Sequence, residues 1–449
     1  MSLGGIQVFC LLLLARQTHS LGGTASIMTE ALLKLSFTLG LHVDPRNLAS
    51  VTPFESELRR RLWLTVMELA SITSLNSTYP LLVSAEDYQV PLPSNILDSK
   101  IGNGNDSDIS EVHMKHSGLD CSLQLMLAKS LRLRMEIIRE LNGMSGEASY
   151  ERIITLAKSL QTQCREMAEF FEHNNTWEQG TGTTGFHQKF LDTYFRRLIL
   201  FLHRPFAHQA RKDHRFFLSR KVCLESCLVM ASHMENVDLP SVNLDDFCYS
   251  CISGGGMFKG ALGQEAILGI SLEIITQLEE EGMGDSRNPR PRSRDPLAVL
   301  GQARRMPLMQ FLRHTREQWK QVIILGRPSF KQYMFVSCTL SYIEAIESGQ
   351  DPKASMLDTI RRELRLCTTL LQESPAYSNS LDVMSEWTDD TMPYVNETMA
   401  LFGFDFNMIV GALDHRSHCV PHTKLIHCIG SEVHDEHASV GPRLSRNFV

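Results

Sequence analysis

The sequence predicts an all-α protein. Apolar residues recur at three- and four-residue spacing through most of its length, and strict polar–apolar alternation is rare. Clusters of Gly, Pro and Asn punctuate the periodic stretches. With 449 residues, 43% hydrophobic and 21% charged, the chain has ample material for a sizeable core, as one large helical domain or as two or three smaller ones.

Residues 3 to 40 read as two helices separated by Ser20–Gly23. Val8 to Ala15 is continuously apolar, but no basic residue precedes it and it is too short to span a bilayer. It is therefore expected to be a buried helix and not a signal peptide. The second helix carries Ile27, Ala31, Leu35 and Leu39 as its expected inner stripe, and Gly40 stands where a C′ glycine ends a helix.

Pro45 and Pro53 bracket a loop. Thr52 then suits an N-cap, Pro53 the first helical position, and Glu55 the acidic place of a capping box. Leu58, Leu62, Val66 and Leu69 recur at helical spacing, widened by Trp63. At least two of Arg59, Arg60 and Arg61 must point to solvent or to carboxylates.

Residues 76 to 110 read as loop, with Pro80, Pro91 and Pro93 and the run GNGNDSD. Further helices are expected over about 112–141, 148–173, 186–205, 214–235 and 257–281. Pro205 must end or kink the third of these. A basic, proline-broken loop follows at 282–296, then more helices to 372.

Several function classes are disfavoured. The net charge of −7 gives no overall pull toward nucleic acid or an anionic membrane. No later stretch approaches transmembrane length, so no membrane partner is expected. The eleven cysteines are scattered and odd in number, which fits a reducing intracellular compartment. The sequons at Asn76, Asn105, Asn174 and Asn396 are short enough to arise by chance. There is no phosphate loop opening a helix and no G-x-S-x-G elbow, so no catalytic residue is assigned. Gly254 to Gly256 precede a helix start near Met257 but read as plain loop.

Several phrases resemble one family in order. LGLHVDP is followed by the RRRLW helix and a loop ending LPSNILD. Then come YFRRLILFLHRPFA, SRKVCLESCL and GGGMFKGALGQEAILGISLEIITQLEE. Together they resemble the middle homology region of fungal zinc-cluster transcription factors, from near the N-terminus to Glu281. The resemblance implies a mostly helical regulatory domain, a nuclear location and, in many members, control of a metabolic gene cluster.

In that family DNA is held by an N-terminal cluster of six cysteines around two zinc ions. Nothing here matches it, since Cys10 lies in the apolar helix and the next cysteine is Cys121. The expectation is no cofactor in this chain, with zinc only if such a module precedes it. DNA contact would then come from that module or from a partner. Cys248 and Cys251 have a CxxC spacing with no second pair at zinc-finger distance, and Cys223 and Cys227 read as helix core.

Three later segments carry candidate chemistry. Between Arg365 and Arg416 no Lys or Arg occurs, while acidic residues interleave with aromatic ones. Trp387, Asp389, Asp390, Phe402, Phe404 and Phe406 in the 373–414 stretch have the composition of an acidic activation segment meeting coactivators or transcription machinery. A final helix packing on the core is the alternative. Arg287, Arg290, Arg292 and Arg294 are nuclear-import candidates in an otherwise solvated linker. The tail, 415–449, contains His415, His418, Cys419, His422, His427 and Cys428. Pro421 breaks the helix that would pair His418 with His422, so a solvated tail is preferred to a metal site.

The reading is a transcription regulator, with a DNA-module-free decoy as first rival and a helical enzyme as second. A homodimer or heterodimer is open, but no leucine heptad supports a coiled coil.

Overall fold

Twelve α-helices make up the long regular elements of the computed structural model, which describes residues 2–18, 26–77, 79–94, 122–143, 149–173, 185–234, 245–253, 265–284, 296–324 and 330–373. No strand occurs among these residues. They are α1 (Leu3–Thr18), α2 (Ser26–Thr38), α3 (Pro53–Ser77), α4 (Ser122–Asn142), α5 (Tyr150–His173) and α6 (Gly185–Gln209). There follow α7 (Phe217–Ser232), α8 (Asp246–Ser253), α9 (Glu265–Gly284), α10 (Pro296–Ile324), α11 (Phe330–Ser348) and α12 (Pro352–Glu373). All of them fall in one unit that runs from Met1 to Ser380. None is long and apolar enough to cross a membrane.

Each helix packs chiefly on near neighbours in sequence. α1 and α2 lie on α3, α3 on α4, α4 on α5 and α6, and α6 on α7. α7 meets α9, which carries α10 and α11, and α12 closes against α11.

α3 is the centre of the N-terminal part, and its start follows the sequence. The Glu55 amide donates to Thr52 Oγ1 at 3.1 Å, a cap of about 1 kcal/mol. The Glu55 carboxylate accepts from Arg59 Nε, one turn on. The expected stripe is buried from Leu62 on, with Leu58 half-buried, but from Leu62 to Leu75 so is nearly every other side chain. A helix surrounded on all faces tolerates Glu57 and Glu68 only because each is paired.

The α2 stripe was misplaced. Thr29, Leu32, Leu33 and Ser36 are the buried positions, and Ile27 is 80% exposed. The inner face includes two hydroxyls whose polarity is met locally: Ser36 donates to Leu32 O at 2.8 Å, and Thr29 meets Thr73 at 3.2 Å. A count of apolar residues alone selects the wrong face. The stop is as expected. Gly40 has φ +67°, Gly40 N donates to Phe37 O, and Leu41 N donates to Ser36 O, the bonds of a Schellman ending with buried Leu41 sealing it.

α1 is buried on one face only, through Ile6, Cys10, Leu13 and Gln17; Val8, Leu11 and Leu12 face outward. Pro205 lies inside α6, four residues before its end, and does not terminate it. Near a C-terminus a proline removes only one helical bond before the chain would stop anyway. The segment predicted as 214–235 is a 3₁₀ turn, His214–Phe216, followed by α7. The helix expected from 257 is described from Glu265, and the short α8 before it was not foreseen. Residues 101–121 and 254–264, with the Gly254–Gly256 run, lie outside the described residues.

α7 and α9 approach closely at one point. Cys227 is fully buried, and a Cβ added to Gly269 would fall on its Sγ. Only glycine lets the two backbones come this near.

Candidate functional site: the polar nucleus of the signature helix

The three arginines at the start of α3 all have carboxylate partners. Arg59 meets Glu55 at 3.0 Å and donates to Leu39 O, tying the end of α2 to α3. Arg60 and Arg61 both meet Glu57, at 3.1 and 3.0 Å. The Ser94 amide donates to the same Glu57 carboxylate at 2.9 Å. One buried carboxylate therefore fixes two arginines and the far end of the proline-rich loop. Three hydrogen bonds to an ionised group offset the cost of burying it.

Beside it, the signature phrases converge on one ring. Trp63, fully buried, is flanked by Phe37 at 5.4 Å, Tyr88 at 5.5 Å and His42 at 6.2 Å. The Gln89 amide donates to His42 O at 2.9 Å. Asp44 caps the 3₁₀ turn Pro45–Asn47 by accepting the Arg46 amide. The LGLHVDP turn, the RRRLW helix and the DYQV loop thus form a single small core.

Ionic links also cross between helices, and two of them are deeply buried. Arg134 on α4 is fully buried; Nη1 donates to Glu68 and to Tyr194 OH at 2.8 and 3.0 Å, and Nη2 also meets Glu68. Ser130 and Leu127 O take its remaining donors. Burial opposes the charge of Arg134, but Glu68 and Tyr194 more than offset it and hold it above the ordinary guanidinium value. Burial pushes the Tyr194 hydroxyl up to about 12 against the pull of Arg134. Arg197 on α6 meets both oxygens of Glu265 on α9, at 2.8 and 2.9 Å, and donates to Asn76 Oδ1. Asn76 serves this internal bond, which fits the reading of its sequon as a chance triplet.

This arrangement orients helices and offers no reactive constellation. His203 Nδ1 lies 2.9 Å from Ser219 Oγ, which donates to Tyr150 OH at 3.2 Å, but His203 and Ser219 are buried. Burial lowers His203 to about 4, so the ring is neutral near pH 7.

Cys223, Cys227, Cys248 and Cys251 are free and buried, as core residues. Burial pushes the thiols of Cys227 and Cys248 up to about 12 and those of Cys223 and Cys251 higher as well. Zinc needs thiolates, and these positions disfavour them. Among the described residues no group of three or more His, Cys, Asp or Glu is placed to hold a metal ion. The described cysteines therefore do not fit a zinc cluster.

None of the sequence-predicted site residues is among the described residues. Trp387, Asp389, Asp390, Phe402, Phe404 and Phe406 fall outside the described residues, as do Arg287, Arg290, Arg292 and Arg294 and the tail set His415, His418, Cys419, His422, His427 and Cys428. Sequence reading missed Glu57, Glu68, Arg134, Arg197 and Glu265. Arg134 had a legible signal: it stands on the apolar face between Leu131 and Ile138, where an unpaired cation would be costly.

Residues 3–179, which include α3, Trp63 and Arg134, match the fungal specific transcription factor domain. The chain carries a fungal-specific transcription factor domain. It is a domain of transcription factors and not of an enzyme family. The chain is 41% identical over 400 residues to the transcription factor opdR of Penicillium oxalicum, covering 87% of this chain and 50% of that protein. It is 27% identical over 357 residues to the aspyridones cluster regulator apdR of Emericella nidulans, covering 78% and 46%. It is also 23% identical over 215 residues to the Zn(2)-C6 fungal-type transcription factor mpsB of Macrophomina phaseolina, covering 46% and 28%. The chain spans about half the length, or less, of these curated relatives. No solved structure matches it.

Proposed function

We propose that this chain is the regulatory body of a transcription regulator controlling a fungal metabolic gene cluster, of the secondary-metabolite kind. The observation that carries this reading is the match of residues 3–179, whose signature phrases meet around Trp63 and Glu57. A relative named as a cluster regulator supports the metabolic assignment.

In this reading the helical body, residues 1–281 with the helices of 297–372, receives a small-molecule or protein signal. It governs how the 373–414 segment meets coactivators or the transcription machinery. Trp387, Phe402, Phe404 and Phe406 would bury on a coactivator surface while Asp389 and Asp390 keep the segment solvated. DNA is held by a zinc-cluster module outside this sequence or by a partner chain, as a homodimer or heterodimer. The protein works in the nucleus, with Arg287, Arg290, Arg292 and Arg294 of the 282–296 loop aiding import. The His and Cys residues of 415–449 are given no role.

Deleting the gene and profiling transcripts tests the proposal. A regulator of this kind gives a coherent fall in one neighbouring gene cluster. A coherent rise would instead mark a decoy that titrates full-length regulators. Unchanged transcripts with altered metabolites would mark an enzyme and overturn the proposal.

A further inference from the structure

Only one side of the apolar helix α1 is buried. Ile6, Cys10 and Leu13 seat it on the core around α3. The opposite side carries Gly4, Val8, Leu11 and Ala15, all exposed, with Leu12 and Leu14 on its flanks. Val8 is 67%, Leu11 65% and Leu12 55% exposed. Large apolar side chains gain from leaving water, so a contiguous row of them marks an interaction surface.

Two properties of this face identify its occupant. The first is charge. No Asp, Glu, Lys or Arg stands between Met1 and Ala15, and Arg16 in the last turn is the helix's single charge. Other exposed apolar side chains sit among charges: Phe217 and Leu218 near Arg215 and Lys221, Val299 and Leu300 before Arg304. A nucleic acid or an anionic membrane would require a basic border, which α1 does not supply. The fitting partner is a second uncharged helix face, and among the described residues that face is α1 itself.

The second property is spacing. Gly4, Val8, Leu11 and Ala15 follow steps of four, three and four residues, the spacing at which two helices interlock. In an antiparallel pair centred between Val8 and Leu11, Val8 of each copy meets Leu11 of the other, and Gly4 meets Ala15. Large side chains then fill the centre, and small ones let the ends approach closely. The two-fold operation pairs the face with itself and holds the two Arg16 side chains at opposite ends. The seam is too short for a free-standing coiled coil. In this protein, however, α1 is already formed and seated, so pairing adds no folding cost. The patch offers on the order of 400–500 Å² per copy, about 1,000 Å² for the pair, the lower end of a specific interface.

We propose that α1 is a self-association surface: two copies of this chain pair antiparallel through Gly4, Val8, Leu11 and Ala15, as a weak, reversible dimer. The inference does not rest on the transcriptional reading, because its test reads mass in solution and uses no promoter.

Sedimentation velocity of the full chain, from about 2 to 200 µM, tests it. The sedimenting species should shift with concentration from the chain mass toward twice that mass. Leu11→Glu, at an exposed position, should weaken the pairing by about tenfold or more and leave the melting temperature of the dilute chain unchanged. Gly4→Leu should weaken it several-fold. Within the chain a Cβ at Gly4 meets nothing closer than 3.9 Å, so the clash arises only in the pair. Leu218→Glu, on the exposed start of α7, should leave the pairing unaltered. A monomer at every concentration, including one that pellets with neutral phosphatidylcholine vesicles, would overturn the proposal. Self-association untouched by Leu11→Glu would overturn it equally.

Discussion

Arg134 and Glu68 face one another in the core, both guanidinium Nη atoms on the two carboxylate oxygens, with Tyr194 sharing Nη1. The pair links α4 to α3, and Tyr194 extends the link to α6. Removing one partner leaves an unpaired buried charge, so Glu68→Leu or Arg134→Met alone should cost about 3–5 kcal/mol. The double variant removes both charges together and should recover most of that loss. Urea unfolding of the three variants and the parent checks it; additive losses in the double variant would contradict the pairing.

Glu57 holds Arg60, Arg61 and the Ser94 amide together. Glu57→Ala should destabilise by ~3 kcal/mol, since three donors lose a buried acceptor. The Ser94 amide should also exchange faster with solvent, which hydrogen exchange resolves residue by residue. Unaltered exchange there would show that the loop is anchored by other contacts.

Gly269 is fixed by its neighbour Cys227. Gly269→Ala forces α7 and α9 apart and should cost about 1–3 kcal/mol despite alanine's better helix propensity. Adding Cys227→Ala removes the obstructing sulfur, and the pair of substitutions should then be less than additive. Thermal melts of both variants distinguish this from a simple propensity gain.

His203 makes acid stability predictable. Its value falls from the model-peptide 6.5 to about 4 because burial disfavours the imidazolium. Below 6.5 the unfolded chain binds this proton and the folded chain does not, so stability rises with pH in that range. The contribution is intact above 6.5, falls as pH drops through 6.5 toward 4, and is lost to the extent of roughly 3 kcal/mol at the bottom of the window. Burial lowers His187 and His208 in the same direction, so the parent slope is a sum. His203→Asn should flatten it between pH 6.5 and 4 in denaturant titrations; an unchanged slope would remove His203 from the account.

The legible parts of the fold were those written in local signals. Thr52, Pro53 and Gly40 marked helix ends correctly because caps and left-handed turns depend on one or two residues. The face of α2 was misread because Thr29 and Ser36 are buried with their hydroxyls satisfied, which no hydrophobic count registers. Pro205 was overweighted because the penalty of a proline depends on how many helical bonds remain beyond it. The ionic links were invisible for a different reason. Arg134 and Glu68 are 66 residues apart, and Arg197 and Glu265 are 68 apart. A charged residue on an apolar face announces that a partner exists, and only the tertiary packing names it.

The central claim is that this chain carries transcriptional output. The most direct measurement fuses the whole chain, and separately residues 370–414, to a heterologous DNA-binding domain upstream of a reporter. The account predicts that reporter output rises with at least one of the fusions and falls to background when Trp387, Phe402, Phe404 and Phe406 are changed together to alanine. Background output from both parent fusions, in cells where the fusions reach the nucleus, would contradict it.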